Sequence, residues 1–247
     1  MRVMGPLWAL LAVFVAGTVK GIAGLGFPTL ATPLLSLIVD VKIAVVVLIL
    51  PNITMDGIQF ARRGAPTATI RRLAPLLVAG GIGTVLGTRL LVMLPTRTVL
   101  LLLGVFVVAF VALNATRFAP RLPRTWEPWA GPVAGFVAGV VGGITNVPGT
   151  PLAIYFYALG MPKPDFLAAT AFTFLIYKLV QLAAVAWYGL LTSGLAASSV
   201  ALTGVALAGF VAGLWIQNRL DQRAFDRAVL ALLGALGAWL VVRGVLG

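Results

Sequence analysis

The first apolar stretch of this chain is interrupted by Gly21-Ile22-Ala23-Gly24-Leu25-Gly26-Phe27-Pro28, and half a chain later Val141-Gly142-Gly143-Ile144-Thr145-Asn146-Val147-Pro148 interrupts another. Sliding the sequence on itself by 118 positions superimposes Val15-Ala16-Gly17 on Val133-Ala134-Gly135. The same shift puts Gly21 on Gly139, Gly24 on Gly142, and Thr32-Pro33-Leu34 on Thr150-Pro151-Leu152. Unwound backbone survives at membrane depth only where protein buries it or where it lines a wet cavity. Paired breaks at matching places in two halves therefore point to a binding site near the bilayer midplane.

That argument needs a membrane, and composition supplies one. Hydrophobic residues make up 61% of the 247, charged residues 10%, and mean hydropathy is +1.08. A soluble domain carries about 25% charged residues. Several apolar windows approach the roughly 20 residues of a spanning helix. The absence of Cys and His excludes disulfides, thiolate or imidazole metal sites, haem, Ser-His or Cys catalysis and His proton relays. No nucleotide loop, EF-hand or nucleophile elbow is present, and no cofactor is expected. Net charge is +12, from 18 Lys plus Arg against 6 acids. In a soluble protein this would indicate nucleic acid; here the arginines sit in short loops and report the positive-inside rule. Arg2 followed by an apolar run imitates a signal peptide, but the recurrence of Val-Ala-Gly in the second half marks it as a transmembrane segment.

Apolar runs between polar punctuation predict an all-α polytopic membrane protein of two homologous halves. In the first, Leu7 to Gly24 is helical, Thr29 to Val39 is short, and Lys42 to Phe60, Leu73 to Leu94 and Thr98 to Ala115 are long. In the second, Trp129 to Gly142 leads into the break and Pro151 to Leu159 is short. Asp165 to Tyr188, Leu195 to Gln217 and Arg227 to Val245 are then long. Residues 1–247 read as a single membrane domain, with repeats at about 7–115 and 129–246 joined by a linker at 116–128. At an offset of 126, Gly83-x3-Gly87 falls on Gly209-x3-Gly213, a spacing that lets helices approach closely. Trp8, Trp126, Trp129, Trp187 and Trp239 read as an interfacial belt.

Each broken segment either crosses once or turns back. A single crossing divides the loop cations 9 against 6. Turning back divides them 11 (loops 61–72, 115–128, 161–165 and 217–227) against 4 (Arg2, Lys42, Arg97, Arg243). The second split obeys the positive-inside rule better, and it makes the halves inverted repeats.

At the breaks, glycine permits positive φ and exposes N–H groups, while Pro28, Pro33, Pro148 and Pro151 keep helix from re-forming across the gap. Half-helices starting near Thr29 and Thr150 aim positive dipole ends into that gap. With Gly24, Gly26, Phe27, Gly143, Thr145 and Asn146 they make candidate substrate-binding residues for an anion with several acceptor oxygens. Kinks that merely let helices pack are the alternative. Ionisable residues within apolar helices are functional candidates because burying them is costly. Lys20 precedes the first break, and its counterpart is Ala138. Asp56 and Lys178 hold corresponding positions, so a pseudo-two-fold axis brings them together as an expected ion pair. That pair either locks the halves, or Lys178 binds the anion while Asp56 couples and gates. Asn52, Asp56 and Gln59 share a helix face, and Tyr177, Lys178 and Gln181 cluster within one turn. Both groups line a pathway or make interhelical hydrogen bonds.

The duplicated Gly21-x2-Gly24-x-Gly26-Phe27-Pro28 and Gly139-x2-Gly142-Gly143-x4-Pro148 turns resemble those of the sulfite exporter TauE/SafE family. So do the Ala-rich entry to the next helix (Ala44; Ala168-Ala169-Thr170) and the Gly-x3-Gly helix followed by Arg97 or Arg223. The resemblance implies a permease of the bacterial inner membrane that moves sulfur-containing anions such as sulfite, sulfoacetate or other sulfonates. The partners expected beside it are a small anion, the lipid bilayer, protons taken up through Asp56, and a second copy in a homo-oligomer. The second turn, Gly142-Gly143-Ile144-Thr145-Asn146, departs from a plain glycine run. A non-transporting scaffold, an intramembrane enzyme and a cation carrier are the competing readings. The enzyme lacks His and Cys, and the cation carrier would need more than one buried acid.

Overall fold

The computed structural model describes residues 4–64, 67–116 and 121–246. Arg2, Arg117 and the tip of the 61–72 loop lie outside them. Every regular element among the described residues is helical: α1 (Met4–Ala23), α2 (Phe27–Leu35), α3 (Val41–Val47), α4 (Ile49–Arg63), α5 (Thr67–Met93) and α6 (Thr96–Thr116) in the first half. The second half holds α7 (Glu127–Thr145), α8 (Gly149–Ala158), α9 (Lys163–Trp187), α10 (Ser193–Ile216) and α11 (Gln222–Leu246). Among the described residues, 7 helices are long and apolar enough to cross a membrane, with Val41–Arg62 counted as one span. Large apolar side chains such as Leu11, Val78, Val133 and Leu232 stand exposed along these helices, an outer surface that only lipid satisfies.

The expected helix from Lys42 to Phe60 is in fact two pieces, α3 and α4, meeting at Leu48. Pro51 is the cause: it has no N–H to offer the carbonyl four residues back. That carbonyl, on Val47, instead accepts a hydrogen bond from Ser199 Oγ of α10 at 2.8 Å. The corresponding helix α9 has no internal proline and runs unbroken for 25 residues.

Both broken segments turn back. Trp8 Nε1, near the start of α1, donates to the Leu34 carbonyl at the end of α2 at 3.3 Å. In the second half the Leu122 amide, just before α7, donates to the Ala158 carbonyl at the end of α8 at 2.9 Å. The returning helices have 9 and 10 residues, about 14–15 Å at 1.5 Å per residue. That is half of the roughly 30 Å hydrocarbon core, so the turns at their starts lie inside the bilayer.

Polar contacts gather the helix ends into two groups. At one end Arg243 of α11 donates to the Ser36 carbonyl (3.2 Å), Lys42 to Val92 (3.0 Å), Thr96 to Asp40 (2.8 Å) and Arg97 to Gly244 (2.8 Å). At the other, Arg72 of α5 forms a forked ion pair with Glu127 of α7, and Arg62 of α4 lies beside Gln217 after α10. Lys42, Arg97 and Arg243 thus share the first end, and the arginine-rich loops share the second.

Helices of the two halves interleave. α5 packs along α7, α1 along α10, α6 along α11 and α4 against α9. The repeated glycines make this close approach possible. A Cβ on Gly17 or Gly21 would run into backbone of α10 at Ala206 or Phe210, and one on Gly209 or Gly213 into α1 at Phe14 or Thr18. Between α5 and α7, Gly83, Gly87, Gly135 and Gly139 face backbone in the same reciprocal way.

Candidate functional site

The breaks are built by residues that tolerate the left-handed region, two in the first (Gly24, φ 77°, and Gly26) and one in the second. Gly26 has φ 94° and precedes α2, whose second position is Pro28. Asn146 has φ 70° and ends α7; Asn is one of the few side-chain-bearing residues at ease there. Ending a helix inside a membrane strands its last carbonyls. The structure answers them twice in the same manner. Gln59 Nε2 of α4 donates to the Gly24 carbonyl at 2.8 Å. Gln181 Nε2 of α9 donates to the carbonyls of Gly142 (3.3 Å) and Gly143 (3.2 Å).

The second break meets the helix that follows the first. Asn146 Nδ2 donates to Thr32 Oγ1 of α2 at 3.2 Å, across 114 residues of sequence. Behind this contact the Lys178 ammonium donates to Asn146 Oδ1 and, at 2.5 Å, to Gln181 Oε1. Lys178 is only 1% exposed, so a membrane-buried cation stands directly against the second break. A cavity of about 30 Å³ opens between the starts of α2 and α8, lined by Gly26, Thr29, Phe110, Asn114, Gly149, Tyr157, Thr170 and Phe174. One water needs at least about 10–15 Å³, so the space takes one or two small groups. Thr170, Phe174 and Lys178 follow i, i+4, i+8 spacing and share a face of α9.

The expected Asp56–Lys178 ion pair is corrected by the structure. Asp56 pairs with Lys20, whose Nζ donates to Asp56 Oδ1; both residues are 1% exposed. Lys178 remains within Coulombic reach of Asp56, but its hydrogen bonds go to the amides of Asn146 and Gln181. Equivalence in sequence brought the right helices together, and the asymmetric Lys20 took the carboxylate. A second cavity, about 120 Å³, lies beside this pair at the arginine-rich end.

Other candidates fall in place differently. Thr29 is buried and lines the smaller cavity. Phe27 and Pro28 are buried in the first turn of α2, with Phe27 in the main core. Thr150 spends its hydroxyl on the Phe106 carbonyl of α6 at 3.2 Å. Thr145 Oγ1 donates to Val141 and accepts from the Val147 amide, stiffening the turn. Gly143 packs against α5 at Thr84 and Thr88. Tyr177 OH donates to the carbonyls of Leu76 (3.1 Å) and Gly135 (3.3 Å), so it fastens α9 to the α5–α7 pair and points away from the Lys178 amide contacts. Asn52 Nδ2 donates to Leu48 at 3.1 Å.

Buried side-chain atoms without a partner among the described residues are Asn52 Oδ1, Asp56 Oδ2, Gln59 Oε1 and Thr173 Oγ1. All can accept, and three lie on the predicted polar face of α4. Sequence reasoning missed Thr173 and Asn114. Thr173 aligns with Pro51 at the offset that pairs Asp56 with Lys178, and a polar residue opposite a proline was the available signal.

A family model described as Sulfite exporter TauE/SafE matches residues 9–240, nearly the whole chain and both breaks. The chain belongs to the sulfite exporter TauE/SafE family. TauE/SafE proteins are membrane transporters of sulfite and related sulfur anions, so this one is a transporter and not an enzyme. No curated protein and no solved structure matches it.

Proposed function

We propose that this TauE/SafE protein is a secondary transporter of small sulfur oxyanions, sulfite or short sulfonates, in the bacterial inner membrane. The observation that carries the reading is the contact of the second break, at Asn146, with Thr32 of the returning helix α2, with Lys178 buried behind it. Two helix N-termini, those of α2 and α8, overlook one small cavity lined by Gly26, Thr29 and Gly149, and such ends favour negative charge. An ammonium has three N–H donors. Two of those on Lys178 are engaged among the described residues, leaving one for an arriving oxygen. An oxyanion entering the cavity is held by the Thr29 hydroxyl and the backbone amides of Gly26 and Gly149, and Lys178, one helical turn beyond the cavity-lining Phe174 on α9, supplies the nearby positive charge.

The whole of residues 1–247 forms one transport unit, with repeats at about 7–115 and 129–246 and a linker at 116–128. The halves act as inverted repeats around the site and move by alternating access. Supporting this are the hairpins, the exchange of packing partners (α1 with α10, α7 with α5) and the arginine-rich end, which faces the cytoplasm. Asp56 couples the cycle to protons.

Counterflow of labelled sulfite and sulfoacetate in proteoliposomes tests the reading, alongside a thermal-shift panel that adds thiosulfate, taurine and simple carboxylates. Wild type exchanges at least one sulfur anion, and Lys178→Met loses that exchange while remaining folded. Absence of sulfur-anion exchange by wild type, or full exchange by folded Lys178→Met, overturns it.

A further inference from the structure

The cavity of about 120 Å³ is set apart from the anion site. It is walled by Lys20, Gly24, Gln59, Arg62, Leu214 and Gln217, and it holds room for several waters at about 10–15 Å³ each. Two of the unpartnered acceptors, Asp56 Oδ2 and Gln59 Oε1, belong to residues at this cavity or to the partner of Lys20 in its wall. Buried acceptors left dry are costly, and water is their usual partner.

The electrostatics differ in kind from those of the smaller cavity. α1 ends at Ala23, α4 at Arg63 and α10 at Ile216, and Gly24, Arg62 and Gln217 line the cavity, so three helix C-termini with their negative dipole ends border it. An oxyanion is better placed at the N-termini of α2 and α8. A metal cation is opposed by Lys20 and Arg62. Water remains, and water carries protons.

We infer that this cavity is a water-filled port through which protons from the arginine-rich end reach Asp56, separate from the path of the anion. The inference rests on the reading of Asp56 as the coupling carboxylate of a transporter. The charged groups around Asp56 are Lys20 from α1, Lys178 from α9 and Arg62 further along α4; α10 contributes no titratable residue over Ser193–Ile216. A proton delivered by water lands on Oδ2, the oxygen Lys20 leaves open, and neutralises the carboxylate. No other co-reactant is needed. The second half holds Ala138 where Lys20 stands, so the port belongs to one end only.

The chain has no cysteine, so Leu214→Cys places a sole thiol in the cavity wall, and Val211→Cys on the exposed face of α10 is the lipid-facing control. A water-soluble methanethiosulfonate, applied from the arginine-rich side, labels Leu214→Cys at least about tenfold faster than the control, since thiol reactivity follows access. The label abolishes uptake of sulfoacetate driven by a pH gradient while sulfoacetate exchange at equal pH continues. Labelling no faster than the control means a dry cavity and overturns the port, whether or not the protein carries sulfur anions. Loss of exchange together with driven uptake makes the cavity the anion's own path and also overturns it. Absence of any sulfur-anion exchange by wild type sinks the proposed substrate, and the labelling ratio still decides the port.

Discussion

Lys20 and Asp56 show how far a single buried charge depends on its partner. Removing one member of a buried pair leaves the other uncompensated, at a cost of about 3–5 kcal/mol. Lys20→Met is therefore strongly destabilised in detergent. Lys20→Met with Asp56→Asn, which empties both charges, recovers most of that loss; thermal unfolding of the purified variants measures both. A double variant no more stable than the single one would show that the two charges do not answer each other. This pair was only half legible in the sequence. Asp56, Lys20 and Lys178 stood out because charge inside an apolar helix is costly. Which lysine takes the carboxylate depends on how α10, which packs on both α1 and α4, holds them relative to each other, and nothing within either segment records that.

At the scale of elements, the breaks were readable because their causes are local. Gly26, Pro28 and Pro148 carry their conformational consequences wherever they occur, and Asn146 was noted as a departure from plain glycine. The kink at Leu48 was equally local in cause, through Pro51, yet its compensation by Ser199 comes from α10 and was invisible. A double-mutant cycle tests that compensation. Ser199→Ala costs about 1 kcal/mol with Pro51 present and much less with Pro51→Ala, where the helix supplies its own N–H to Val47; equal costs in both backgrounds would refute it. The glycine faces make a second prediction. Gly139→Leu, whose side chain would collide with backbone of α5 at Gly80 and Thr84, loses the folded monodisperse protein on size-exclusion chromatography. Gly204→Leu, with open space around its Cβ, does not.

Across the whole molecule, the two halves are bound by exchange: each hairpin packs on a helix of the other half, so no half is complete alone. The offsets of 118 and 126 already recorded this, since Gly17 and Gly21 match Gly135 and Gly139 while Gly83 and Gly87 match Gly209 and Gly213. The first set supplies the hairpins and the second the helices they rest on. That arrangement delivers Thr32 and Asn146, far apart in the chain, to one point beside Lys178. Because the chain lacks cysteine, this meeting can be measured directly. Thr32→Cys with Asn146→Cys, treated in membranes with a short bifunctional thiosulfonate, is predicted to cross-link within the chain, and sulfoacetate is predicted to slow the reaction. A yield no higher than that of Asn146→Cys paired with the lipid-facing Val211→Cys would contradict the account.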